Sequence, residues 1–199
     1  MHLPHNPLLI FVGSRRAGRM VHQERLIERH PSSFSAVKTI TTCPEEKHGD
    51  GPWFIRTTNE DASKFPIDEM LTFFQEGRSR YFILKREVAS IRAKSLIPLV
   101  GMSPDGLERL ESRSSSIRDL PYLAVILTPA DPDQFRDHLI LDQGLEPELA
   151  VEETRRAIRL STIPPSMGKS SSIFPVKVHG NNLDAKLVEE AIASLLSPP

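Results

Sequence analysis

The sequence predicts an α/β fold, a three-layer sandwich around a mainly parallel central sheet with right-handed crossovers. Two observations carry that expectation. The runs Leu8-Leu9-Ile10-Phe11-Val12 and Tyr122-Leu123-Ala124-Val125-Ile126-Leu127 are continuously apolar rather than alternating, as strands buried on both faces are. Strand-like and helix-forming segments also alternate along most of the 199 residues, at the spacing of strand-helix-strand units.

Each element follows from local composition. After Val12, Gly13 and Gly18 bracket a loop, and Arg19 to His30 are good helix formers that Pro31 stops. Val37 to Thr42 is β-branched and reads as a strand, and Trp53 to Arg56 as a short one. Thr58 is positioned to cap a helix with Asp61 three residues on, and Pro66-Ile67-Asp68-Glu69 reads as the start of another. Arg80 to Leu84 is a strand and Arg86 to Lys94 a helix. Leu96 to Val100 is a strand despite Pro98, and Pro104 to Arg113 a helix carrying Leu107 and Leu110. A helix follows Thr128-Pro129 through Leu141, and Glu146 to Leu160 is the longest helical stretch. Ile173 to Val178 is a last strand and Asn182 to Leu196 a last helix. The short strands between Ser35 and Leu84 interrupt the rhythm. The expected organisation is a single domain over 1–199, with a core of 7–34 and 85–199, an inserted subdomain of about 35–84 and a lid-like segment of about 138–152.

Composition narrows the function classes. With 25 Lys and Arg against 26 Asp and Glu the net charge is −1, so no nucleic-acid footprint is expected. The single cysteine, Cys43, excludes an intramolecular disulfide framework and a thiolate metal cluster within one chain. The apolar runs are far shorter than the roughly 20 residues of a membrane-spanning helix, and the first residues lack the basic start of a secretory signal, so a cytoplasmic chain without membrane insertion is expected. The seven histidines show no metal-ligand spacing, and Glu45-Glu46-Lys47-His48-Gly49-Asp50 reads as a polar turn rather than an acid/base pair. No catalytic or metal-ligating residue is assigned.

One motif carries chemistry. Gly13-Ser14-Arg15-Arg16-Ala17-Gly18-Arg19-Met20 has the spacing of the phosphate loop G-x-x-x-x-G-K-[ST], between a buried strand and a helix. Such a loop converges backbone N–H groups on phosphate oxygens, while a lysine reaches the outer phosphates and a hydroxyl holds magnesium. Gly13, Arg16, Gly18 and Arg19 are the candidate phosphate-binding residues. Arg19 replaces the lysine with a larger planar fork, and Met20 replaces the hydroxyl with a thioether, a poor ligand for a hard cation. ATP binding remains open, magnesium binding is expected to be weak, and no cofactor is required. Gly168-Lys169-Ser170 lacks the preceding glycine and is a chance match.

In order and spacing the chain resembles the guanylate kinase family, including the guanylate-kinase-like domains of scaffold proteins. The resemblance rests on Pro7 to Gly18 followed by Leu26 to Pro31, on Thr39-Ile40-Thr41-Thr42, Asp50 to Ile55, Tyr81, Pro104-Asp105-Gly106, Ile126 to Pro129, Gly144, and Phe174 to Val178 leading to Asn181-Asn182-Leu183. It implies a P-loop fold with an inserted GMP-binding subdomain and a mobile lid that supplies arginines. It matches Thr39 and Tyr81 to groups that bind the GMP phosphate. Elsewhere the pattern is broken. Cys43 and Glu46 stand where arginines are expected, Thr72 near the carboxylate that reads guanine, and Phe82-Ile83 at a Gly-Thr. Ser103 replaces an aspartate, and His138 and Gln143 stand near the lid arginines. Losing one preorganised electrostatic contact costs about 3 kcal/mol of transition-state stabilisation, and these losses converge on phosphate, metal, base and lid.

The expectation is therefore a catalytically degenerate guanylate-kinase-like module serving protein interaction or regulation. Two alternatives stay open: a divergent GMP kinase using ATP, and a protein that binds nucleotide without turnover. Thr39, Thr42, Arg78, Arg80 and Tyr81 form the candidate site for a monophosphate or for a phosphorylated or acidic peptide, because related scaffold domains use that surface for phosphopeptides.

Overall fold

The computed structural model describes residues 6–14, 17–43, 52–112, 120–142, 144–160, 171–178 and 192. The central sheet has five strands in the order β2-β7-β1-β8-β9, all parallel: β1 (Leu8–Val12), β2 (Phe34–Ala36), β7 (Ile97–Met102), β8 (Tyr122–Pro129) and β9 (Ser171–Val178). β1 lies in the middle, and all five of its residues are buried. Its alternate side chains feed two cores. Leu8, Ile10 and Val12 join one cluster, while Leu9 and Phe11 join another with Leu26, Phe34 and Ile192. That two-faced burial is why the run is continuously apolar. Pro98, which has no N–H to donate, sits ahead of Leu99, where pairing with β1 begins.

Helix α1 (Arg19–Arg29) contributes Leu26 to the second cluster. Helices α3 (Lys85–Arg92) and α4 (Pro104–Ser112) contribute Val88, Ile91, Leu107 and Leu110 to the first. These are the outer layers of an α/β sandwich. Helices α5 (Pro132–Leu141) and α6 (Pro147–Leu160) follow β8, and α6 buries Ala150, Thr154 and Ala157. Asp131 caps α5 by accepting from the N–H groups of Asp133 and Gln134 at 2.9 and 3.1 Å. No helix among the described residues is long and apolar enough to cross a membrane.

A second, four-stranded sheet has the order β4-β3-β6-β5, comprising β3 (Thr39–Thr41), β4 (Phe54–Arg56), β5 (Met70–Glu76) and β6 (Ser79–Leu84). Short helix α2 (Asn59–Ser63) starts where Thr58 Oγ1 accepts from Asp61 N–H, as the capping pattern predicted. The strand expected over 37–42 is present as β3 (Thr39–Thr41), and a further short strand, not expected from the sequence, precedes it. Phe34–Ala36 pairs with β7 in the main sheet, and after Val37 N–H donates to the Leu99 carbonyl the chain crosses into the second sheet at Thr39.

The helix expected from Pro66 does not form. Residues 67–69 make a turn, and Met70–Glu76 is β5, joined to β6 through Gly77. The β-forming run Leu71-Thr72-Phe73-Phe74 overrides the proline signal, because β5 can pack its aromatic face against α4 and β6. The helix expected over 182–196 lies outside the described residues apart from Ile192.

Candidate functional site

The loop after β1 leaves the sheet at its carboxyl end, between β7 and β8. In α/β sheets, that is where a crevice opens. The loop is tight. A Cβ on Gly13 would lie 3.0 Å from that of Ala17, and Gly18 adopts φ +79°, a left-handed conformation suited to glycine. Gly18 is the N-cap of α1 and has no side chain to cap it, and the first turn of the helix carries no acidic residue. The positive end of the helix dipole therefore faces the loop without a side-chain counter-charge from that turn. Arg16 lies outside the described residues.

Arg19 sits where a lysine would reach for phosphate, but it turns toward the second sheet. Its Nη1 lies 2.7 Å from Oε1 of Glu76, the last residue of β5, with both side chains largely removed from solvent. The contact is close yet off-axis, because neither atom has a well-directed hydrogen bond. Met20 does not offer oxygen either. Its Sδ lies 3.8 Å from where a Cβ on Gly101 of β7 would be, so the thioether packs toward the sheet. Met20 therefore supplies none of the oxygen ligands that magnesium takes. Among the described residues no group of three His, Cys, Asp or Glu side chains is placed to hold a metal ion.

The residues matched to a monophosphate site are divided between interior and surface. Tyr81 is buried and stacks on Phe74 with centroids 5.1 Å apart and planes 9° apart, while Phe54 meets it edge-on at 6.0 Å. Tyr81 and Phe74 belong to the same cluster as Leu8, Ile10 and Val12 of β1, so this core runs unbroken from one sheet to the other. Thr39 is also buried. Thr42 bridges strands, its Oγ1 accepting from Arg80 N–H at 3.0 Å. Arg78, in the turn, and Arg80, near the start of β6, are exposed, whereas Tyr81 and the three residues after it are buried.

Other matched positions make contacts within the fold. Thr72, near the place of the guanine-reading carboxylate, is fully buried and donates from Oγ1 to the Gly106 carbonyl at 3.0 Å. Ser103, at the place of an aspartate, accepts from Gly106 N–H through Oγ at the start of α4. Gly106 is needed there: a Cβ would come within 2.9 Å of Phe74 Cδ1. Cys43 is buried, and Arg56 Nη1 donates to its carbonyl at 2.8 Å, so an arginine does reach this neighbourhood, from β4. His138, near a lid arginine, pairs through Nδ1 with Asp142 at 2.6 Å. Glu46 and Gln143 lie outside the described residues.

A cavity of about 920 Å³ opens beside the loop, bounded by Gly13 and Ser14, the Gln75–Gly77 turn, the start of α4 and one face of α6. It is large enough for a nucleotide-sized ligand. Its charges are mixed. Arg109, Arg156 and Arg159 line it together with Glu76, Asp105, Glu152 and Glu153, and Arg156 is already paired with both glutamates along α6. Arg109 sits over the Phe73 ring, 4.4 Å from its centroid. Sequence reasoning passed over Glu76, Arg56 and the α6 charges. The i,i+3 and i,i+4 spacing of Glu152, Glu153 and Arg156 was a readable signal, but the role of Glu76 depends on a contact between distant strands.

The fold has a known counterpart. The chain superposes on a guanylate kinase from Anaplasma phagocytophilum with a TM-score of 0.60 and 11% identity, over 98% of this chain and 86% of that one. The fold is guanylate-kinase-like. An uncharacterized protein from Eubacterium ventriosum aligns with a TM-score of 0.45 and 13% identity, over 95% of this chain and 99% of that one. No family model matches the sequence, and no curated protein matches it.

Proposed function

We propose that this guanylate-kinase-like chain does not transfer phosphate to GMP at a useful rate and serves instead as a protein-interaction or regulatory module. The observation that carries this reading is the filling of the acceptor side. Tyr81 is stacked into a core shared by both sheets, and the Thr72 hydroxyl is spent on the Gly106 carbonyl. A nucleobase cannot enter there without displacing Phe74 and its neighbours, at the cost of several buried contacts. The donor side is weakened as well, since Arg19 is held by Glu76 and the magnesium hydroxyl is replaced by Met20.

The interaction surface in this reading is the turn end of the β5-β6 hairpin, where Arg78 and Arg80 are exposed and positively charged toward a phosphorylated or acidic peptide. The 920 Å³ cavity beside Gly13 and Ser14 favours a second reading, in which ATP or another nucleotide binds without turnover. A coupled assay for ADP with Mg-ATP and GMP tests the first reading. The expected result is no GMP-dependent release above the enzyme-free rate. Turnover that Arg19→Ala abolishes would contradict it. Charge removal at Arg78 and Arg80 should weaken a phosphopeptide partner without changing the melting temperature, and unchanged affinity would exclude that surface.

A further inference from the structure

Arg19 is the only ionised side chain in the buried class among the described residues, with 8% of its surface exposed. A guanidinium withdrawn from water requires a compensating anion. It stands at the first position of a helix whose N-cap is glycine and whose first turn carries no acid, so two sources of positive potential coincide. Beside it, Ser14 Oγ is buried, without a hydrogen-bond partner, and its residue lines the adjoining cavity. These groups form an anion seat with capacity to spare.

The anion present is a carboxylate from the other sheet. We propose that Glu76 is the resident anion of this loop, an intramolecular competitor that must withdraw before an external condensed phosphate can reach Arg19 and Ser14. Glu76 ends β5 immediately before the Gly77 turn, so the same contact ties the tip of the second sheet to the phosphate loop. The off-axis geometry makes the occupant exchangeable. A bidentate fork would hold the carboxylate by two directed hydrogen bonds, and neither Arg19 Nη1 nor Glu76 Oε1 has one. A phosphate chain carries several oxygens and could engage Arg19, Ser14 and the helix N-terminus together, which a single carboxylate cannot do.

The inference rests on reading the loop as a phosphate loop, but it concerns binding and not turnover. Its probe is inorganic tripolyphosphate, which tests the seat without a base or sugar. Calorimetric titration should show Glu76→Gln binding tripolyphosphate at least about tenfold more tightly than wild type, equivalent to ~1.4 kcal/mol. Glu76→Asp, which keeps the charge but shortens the reach, should fall between them. The double variant R19M/E76M removes both charges, should fold at least as well as wild type, and should not bind. Equal affinity of Glu76→Gln and wild type would overturn the proposal. So would tripolyphosphate binding by the double variant, or failure of both Glu76→Gln and the double variant to fold, which would make the pair an indispensable strut. GMP-dependent turnover by wild type would instead defeat the functional reading and leave this comparison of affinities standing.

Discussion

Phe74 joins the two sheets, and replacing it with alanine measures how firmly they are joined. Phe74 is 2% exposed, its ring stacks on Tyr81 at 5.1 Å, and it leaves no room for a Cβ on Gly106, which would come within 2.9 Å of it. Removing a buried phenyl ring costs about 3–5 kcal/mol, since the surrounding residues relax only in part. For a chain of 199 residues each kcal/mol lowers the melting temperature by about 2–4 °C, so Phe74→Ala should lower it by about 6–20 °C. The single tryptophan supplies a local probe. Trp53 precedes β4, and its carbonyl accepts from Thr39 N–H in β3. Thermal unfolding followed by Trp53 fluorescence reports on the second sheet, while far-UV circular dichroism reports on the whole chain. Because one cluster contains Phe74 and Tyr81 together with Leu8, Ile10 and Val12, both signals should move together in the variant. Loss of Trp53 fluorescence well before the main dichroic transition would refute the reasoning, because it would mean that the second sheet unfolds on its own.

Further outcomes follow from single contacts. Thr72→Val keeps the shape but leaves the buried Gly106 carbonyl without the Thr72 donor, and should cost about 1–3 kcal/mol in urea denaturation, with little change in the slope of the transition. Asp131→Ala removes the acceptor for two N–H groups at the start of α5 and should cost about 1 kcal/mol, read as a fall in melting temperature of about 2–4 °C. Burial, and secondarily the neighbouring Glu28 carboxylate, raises the pKa of Glu24. A raised carboxyl favours folding below its unfolded value, and that contribution is lost as pH rises through the folded one. Glu24→Gln should therefore stabilise the protein at pH 7 by about 0.2–0.5 kcal/mol, with the gain vanishing in acid. Asp61 has the opposite sign. Hydrogen bonds from Lys64 and Thr58, and the Lys64 charge, lower its pKa, so its contribution is present at neutral pH and lost on acidification, and Asp61→Asn should flatten that part of the stability profile.

The main sheet was legible because burial on both faces leaves a compositional mark. Leu8 to Val12 and Tyr122 to Leu127 contain no polar residue, and the structure places them at the centre of the sheet. Caps were legible for the same local reason, since Thr58 and Asp61 act within one turn. The second sheet was harder to read. Pro66-Ile67-Asp68-Glu69 carries the local signal of a helix start, whereas the strand that replaces it is stabilised by contacts with Tyr81 and Gly106 that no local window contains. At the candidate site, spacing located Gly13, Gly18 and Arg19, and residue types identified the unsuitable Met20. The direction Arg19 would turn was not legible, because Glu76 reaches it only after β5 has folded back against α4. The burial of Tyr81 beside exposed Arg80 could not be read from strand alternation, because Phe82, on the same face as Arg80, is buried against Phe73 and Ile40, and Arg78 precedes the strand.

Calorimetric titration of the wild-type chain with GMP alone tests the account most directly, because it asks whether Phe74, Tyr81 and Thr72 have closed the acceptor side. No saturable heat up to millimolar GMP is the predicted result. One-to-one binding that weakens when Tyr81 is changed to Phe, with the melting temperature unchanged, would contradict it by showing that the phenol still serves a ligand.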